Sequence, residues 1–112
     1  MLKVYLKPTC SKCQAVVELL RSEGIDFEEI DYYASPLTPA RLAGLAAKAE
    51  GGIRSLVRTV DRPELATSEE TDEELLAVIA DDPDLVGRPI VELGDRALVA
   101  RPPERALELL GG

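Results

Sequence analysis

The spacing of apolar positions changes along this chain, and each change marks an element. Leu2–Leu6 is a short apolar run that reads as a buried strand. Lys7-Pro8-Thr9-Cys10 breaks it. From Ser11 to Glu23, Ala15, Val16, Leu19 and Leu20 recur at helical spacing, and Gly24 suits a left-handed helix end. Ile25–Ile30 reads as a second strand, with Ile25, Phe27 and Ile30 turned inward. This strand-helix-strand opening predicts a parallel pair joined by one crossover helix.

The middle of the chain is helical. Thr38 followed by Pro39 is an N-cap with proline at the first helical position, and Leu42, Leu45, Ala46 and Ala49 supply the apolar stripe. Gly51-Gly52 interrupts it. Ile53, Leu56, Val57 and Val60 then repeat at i, i+3, i+4, i+7 and predict a second short amphipathic helix. Asp61–Asp72 is polar and acidic and predicts a loop. Thr71 and Glu74 have capping-box spacing, opening a helix through Leu75, Leu76 and Ile79 that ends at Asp82-Pro83.

Strands return near the end. Pro89–Leu93 and Arg96–Ala100 flank Gly94-Asp95, a two-residue hairpin signal. Pro102-Pro103 opens a last helix with Ala106, Leu107 and Leu110 facing inward. The order is β-α-β, helices, β-β-α. It matches an α/β thioredoxin-like fold, a mixed sheet built from βαβ and ββα halves. The helical region at about residues 36–85 forms an insertion within one domain, residues 1–112.

Composition narrows the function. At 112 residues, 46% hydrophobic and 30% charged, the chain has enough apolar surface for a core. A net charge of −8 disfavours nucleic acid and anionic membranes as partners. No apolar run approaches a membrane span, and the N-terminus starts as a strand rather than a signal peptide, so a cytoplasmic protein is expected. Histidine is absent, which removes Ser-His-Asp and Cys-His pairs and all imidazole metal sites.

Both cysteines lie in Thr9-Cys10-Ser11-Lys12-Cys13, directly after the first strand and at the start of the first helix. A thiolate there is stabilised by unpaired backbone N–H groups and the helix dipole. Lys12 and Lys7 add positive charge, so the Cys10 pKa is expected below the free value of ~8.5. Cys13 follows one helical turn on, within reach of a disulfide. A structural zinc takes four ligands, and no other cysteine or histidine exists, so no metal is expected. A passive disulfide does not suit a reducing cytoplasm. A strand-CxxC-helix reads as a redox motif, without choosing between oxidoreductase, reductase and redox switch.

The chain resembles the glutaredoxin-type arsenate reductase family, which also contains the Spx-type transcriptional regulators. The matching residues are Lys7-Pro8-Thr9-Cys10, Ser55-Leu56-Val57-Arg58, Arg88-Pro89-Ile90-Val91 and Ala100-Arg101-Pro102-Pro103-Glu104. They extend over essentially the whole chain, in order. The Arg-Pro-Ile-Val element, then a hairpin, then Arg-Pro-Pro-Glu is the most specific part. The resemblance implies a nucleophilic Cys10 and an arsenate site made by Arg58, Arg88 and Arg101, with Arg54 as the alternative if the match slips by one turn. Arginine stays charged and offers a planar donor fork, which suits a tetrahedral oxyanion and favours a neighbouring thiolate. It also implies a cis peptide before Pro89.

The implied reaction is a two-electron reduction of arsenate to arsenite through a Cys10-arsenic adduct, with no metal or organic cofactor. Regeneration needs an external thiol donor, either glutaredoxin with glutathione or thioredoxin. One departure stands out. The glutaredoxin-coupled members typically carry a single essential cysteine in this loop, whereas Cys13 here makes a CxxC, as in Spx-type proteins. Two alternatives therefore stand beside the reductase. One is a redox-sensing regulator with a Cys10–Cys13 switch, the other a general thiol-disulfide oxidoreductase.

Overall fold

The computed structural model describes residues 1–60, 63–66 and 69–110. Four strands, β1 (Leu2–Leu6), β2 (Phe27–Asp31), β3 (Ile90–Leu93) and β4 (Arg96–Val99), form one sheet in the order β2-β1-β3-β4. β1 runs parallel to β2, while β3 is antiparallel to both β1 and β4. This is the mixed α/β sheet that the element order predicts.

Alternation along the strands sorts the core into two faces. Leu2, Val4, Leu6 and Val91 join Cys13, Val16, Val17 and Leu20 of α1 (Ser11–Ser22), together with Ala106 and Leu109 near the C-terminus. Tyr5 and Ile90 face the other way. They meet Leu42 and Leu45 of α2 (Pro39–Lys48) and Leu75 and Ile79 of α3 (Asp72–Asp81). Both α2 and α3 start as their caps dictate. The Thr38 side chain accepts from the Arg41 N–H, and the Thr71–Glu74 box is closed in both directions, at 3.1 and 3.2 Å. Among the described residues, no helix is long and apolar enough to cross a membrane.

Several elements depart from the sequence pattern. β2 begins at Phe27 rather than Ile25, because the end of α1 uses the intervening backbone. The Ile25 N–H bonds to the Leu20 carbonyl and the Gly24 N–H to the Arg21 carbonyl, around Gly24 at φ 69°. The amphipathic helix expected through Val60 is only a 3₁₀ turn, Gly52–Leu56. Past it the chain turns extended, and Val57 forms an antiparallel bridge with Val86. The Arg58 N–H bonds to the Leu85 carbonyl at 2.7 Å and the Gly87 N–H to the Leu56 carbonyl at 2.6 Å. Val60 is left 68% exposed. Within the acidic segment expected to loop, Pro63–Ala66 makes a 3₁₀ turn that buries Leu65, while residues 61, 62, 67 and 68 lie outside those described. The last helix is a 3₁₀ segment, Pro103–Leu109. The tighter winding turns Leu109 inward and leaves Leu110 40% exposed, reversing the expectation for Leu110.

Candidate functional site

The parallel pair β1 and β2 delivers two segments to the same end of the sheet. Lys7–Cys10 leaves the C-terminal end of β1, and Tyr32-Tyr33 leaves that of β2. The segment before β3, Asp84–Pro89, arrives there as well. C-terminal ends of parallel strands are where α/β sheets commonly present their sites.

Cys10 is the N-cap of α1. Its N–H bonds to the Lys7 carbonyl at 3.0 Å and its carbonyl accepts from the Gln14 N–H at 3.1 Å. No side chain caps the helix, and its first turn holds no acidic residue, so the Cys10 sulfur sits at an uncompensated positive helix end. Burial pushes the Cys10 thiol up. The Cys13 N–H and thiol, the Arg88 guanidinium and the Lys12 N–H outweigh that and bring it down to about 7. Cys13 lies one turn further along the helix and is fully buried. Burial and the neighbouring Cys10 drive its pKa up to about 11, against smaller opposing effects from the Lys7 backbone and Arg88. The two thiols are both free and electrostatically unlike. One is half-buried and acidic, the other enclosed and protonated at neutral pH.

Arg88 lies in the segment that returns to β3, and only 7% of it is exposed. Its Nη1 donates to the Tyr33 hydroxyl at 3.1 Å, and its Nε is buried with no hydrogen-bond partner among the described residues. Gly87 lets this segment lie close to the core, because a Cβ there would meet the Leu56 carbonyl and the Val99 side chain at 3.0 Å. The Arg88-Pro89 peptide is cis, as the resemblance implies, and so is Arg101-Pro102. Arg101 is exposed and tied to the same place, its Nε donating to the Arg88 carbonyl at 2.7 Å.

Arg58 is half-buried, and its positive charge bears on Tyr33 and Asp84. Arg54 points elsewhere. Its guanidinium donates to the carbonyls of Glu70, at 2.6 Å, and Leu65, at 3.3 Å. Between the two, the structure puts Arg58 nearer the cysteine end and has Arg54 pin a loop.

Three residues at this site escaped the sequence reading: Tyr32, Tyr33 and Asp84. The Tyr33 hydroxyl accepts from Arg88 and donates to Asp84 Oδ1. Burial and the Asp84 bond raise Tyr33 to about 12, so it stays a neutral donor. Lys7 Nζ stands 4.8 Å above the Tyr33 ring. Two of the chain's three tyrosines fall side by side where β2 ends, a signal that was available in the sequence.

A family model described as the ArsC family matches residues 5–109. The uncharacterized Escherichia coli protein YfgD is 33% identical, covering 97% of this chain and 96% of its own. An arsenate reductase of Haemophilus influenzae is 34% identical, covering 96% and 97%. Among solved structures, an arsenate reductase from Vibrio cholerae superposes with a TM-score of 0.84 at 30% identity, over 96% of this chain and 95% of that one.

Proposed function

Because the chain belongs to the ArsC family, we propose that it is a thiol-dependent arsenate reductase, with Cys10 as nucleophile and Arg58, Arg88 and Arg101 as the oxyanion site. The observation that carries the reading is a free Cys10 at the uncapped N-terminus of α1 with the buried Arg88 guanidinium among the groups that hold its thiol down. A thiolate alone serves any thiol-disulfide exchange. A thiolate beside a buried cation with an unused donor suits an anionic electrophile.

The Cys10 thiolate attacks arsenic in H₂AsO₄⁻, forming a sulfur–arsenic bond. One oxygen leaves as water with both of the ion's protons. The arginines balance the charge of the adduct and hold it in line. In the second step Cys13 attacks the Cys10 sulfur. The electrons of the sulfur–arsenic bond stay with arsenic, which leaves as arsenite carrying the Cys13 proton. Arsenic is reduced by two electrons and the thiols become a Cys10–Cys13 disulfide. Cys13 is buried, but its thiol lies against the Cys10 sulfur one turn away, so the transfer needs no unfolding. An external dithiol, or two glutathione thiols with glutaredoxin, reduces the disulfide and closes the cycle.

The test is arsenate-dependent arsenite release with glutaredoxin/glutathione and with thioredoxin in turn, with mass spectrometry after one turnover lacking external thiol. The expected product is one intramolecular disulfide per arsenite. A lasting thiol-arsenic adduct removes Cys13 from the second step. Disulfide exchange with protein substrates but no arsenite from any donor replaces the reading with a general oxidoreductase.

A further inference from the structure

The cations beside Cys10 are not left without an anion. Asp84, in the 3₁₀ turn Pro83–Leu85, holds its carboxylate among them. Its Oδ1 accepts from the Tyr33 hydroxyl and stands 4.0 Å from both Lys7 Nζ and Arg88 Nη1. Groups following β1, following β2 and preceding β3 thus converge on one oxygen.

The two sides of this arrangement are unequally committed. The Arg88 side chain is 8% exposed, while that of Asp84 is 58% exposed. At 4.0 Å the carboxylate lies beyond direct hydrogen-bond range of either cation, so attraction holds it there and the Tyr33 hydroxyl is its direct bond. A buried guanidinium is costly without a countercharge. Asp84 supplies that charge from solvent and is free to rotate back into it. The backbone of Asp84 is fixed independently, its N–H bonding to Asp82 Oδ1 at 3.0 Å, so departure of the side chain leaves the turn intact.

We propose that Asp84 is an internal stand-in for the oxyanion and a specificity-determining residue. Its carboxylate neutralises Lys7 and Arg88 in the free protein, and an incoming tetrahedral anion displaces it. Every ligand competes with it, so ligands of low charge are rejected first. This rests on the reading of Cys10 and Arg88 as an oxyanion site. The opposite role, a carboxylate that positions Lys7, Tyr33 and Arg88 for the anion, predicts that the arsenate KM rises when the charge is removed.

The experiment compares wild type with Asp84→Asn, which keeps shape and the turn N–H. Cys10 is alkylated by iodoacetate, an anion, and by iodoacetamide, its neutral counterpart. The ratio of the two rate constants reads the field at the sulfur without any need for turnover. The ratio is expected to rise about threefold in the variant, a size typical of one exposed charge interaction. For arsenate, KM should fall by a similar factor with kcat within about twofold, and phosphate should compete correspondingly better. A ratio that stays constant or falls, or a KM that rises, overturns the proposal. In a protein that reduces no arsenate, inorganic phosphate that protects Cys10 from iodoacetate better in the variant than in wild type keeps Asp84 as the stand-in and overturns the substrate assignment alone. Thermal melting confirms that both proteins are folded.

Discussion

The same trio of tyrosine, carboxylate and cation occurs twice among the described residues, with opposite consequences. Inside the sheet, Tyr5 donates to Glu92 Oε1 at 2.7 Å and Lys48 Nζ bonds Glu92 Oε2 at 2.5 Å. At the cysteine end, Tyr33 donates to Asp84, and Lys7 and Arg88 stand beyond bonding distance. In the first trio the carboxylate is buried and the cation reaches in from the surface. In the second the cation is buried and the carboxylate reaches in. A buried carboxylate with both oxygens bonded has nowhere better to go, so it fixes structure. A buried guanidinium facing an exposed carboxylate has a replaceable partner, so it suits binding. Residue type alone does not separate these roles; which member is enclosed does.

The largest effect belongs to the cysteine end. Cys10→Ser is expected to abolish arsenite release, because no base stands ready to activate a hydroxyl there, while melting stays near wild type. Substantial turnover by the variant would sink the mechanism. The alkylation rate of Cys10 should rise with pH through a midpoint of about 7 and then level off. A midpoint at the free-cysteine value would remove the case for a helix-terminal, Arg88-paired thiolate.

Arg88→Ala comes next. Loss of one charged donor to a reacting oxyanion costs about 2–4 kcal/mol, a fall of roughly 30- to 1000-fold in kcat/KM. Lysine should rescue it only partly, lacking the fork. The same substitution should raise the Cys10 midpoint, since Arg88 is among the groups that hold it down. Unchanged kinetics and an unchanged midpoint together would place the oxyanion site elsewhere.

Local chemistry explains which parts were legible beforehand. Thr71 and Glu74 lie three residues apart and close the box their spacing implies, and Cys10 caps α1 because a strand and a helix meet there. The segment after Leu56 misled because its helical period is real, yet pairing with Val86 satisfies the backbone better than another turn would. The sequence pattern ends a helix at Asp82-Pro83 and carries no sign of a role for Asp84. Its partner Tyr33 is 51 positions away, and only the closed sheet brings the two together. The network around Glu92 was equally hidden, since a glutamate between valine and leucine looks like a solvent-facing strand position.

Third in size is Glu92→Gln, which leaves Lys48 without its countercharge. Breaking a fully buried pair costs about 3–5 kcal/mol. Lys48 keeps a third of its side chain in water, so about 2 kcal/mol is expected by urea unfolding. Burial pushes the Glu92 carboxyl up, but the bonds from Lys48 and Tyr5 hold it below its ordinary value of 4.5. The folded protein therefore binds this proton less readily than the unfolded chain. The stabilisation is present above about pH 4.5 and fades as pH falls through the lower folded value. The gap between wild type and variant should narrow in acid. Arsenate KM should not move, and a large change there would end the distinction between the two trios.

The smallest effect is also the most direct comparison, the removal of one hydroxyl from each trio. Tyr5→Phe takes a hydrogen bond from a buried carboxylate that keeps Lys48. The expected loss is about 1.5 kcal/mol, as for a bond to a charged group, with unchanged Cys10 reactivity. Tyr33→Phe takes a hydroxyl that is part-buried against Arg88 and open to water on its Asp84 side, so a smaller loss, about 0.5 kcal/mol, is expected. What Tyr33→Phe should change is the freedom of Asp84. With its direct bond gone, the carboxylate spends more time in solvent, and the iodoacetate-to-iodoacetamide ratio at Cys10 moves toward that of Asp84→Asn. The pair of variants thus exchanges readouts, stability moving for Tyr5 and reactivity for Tyr33. If Tyr33→Phe destabilises as much as Tyr5→Phe and leaves the ratio alone, the exposed trio is a structural clamp like the buried one. Burial would then not be what separates them.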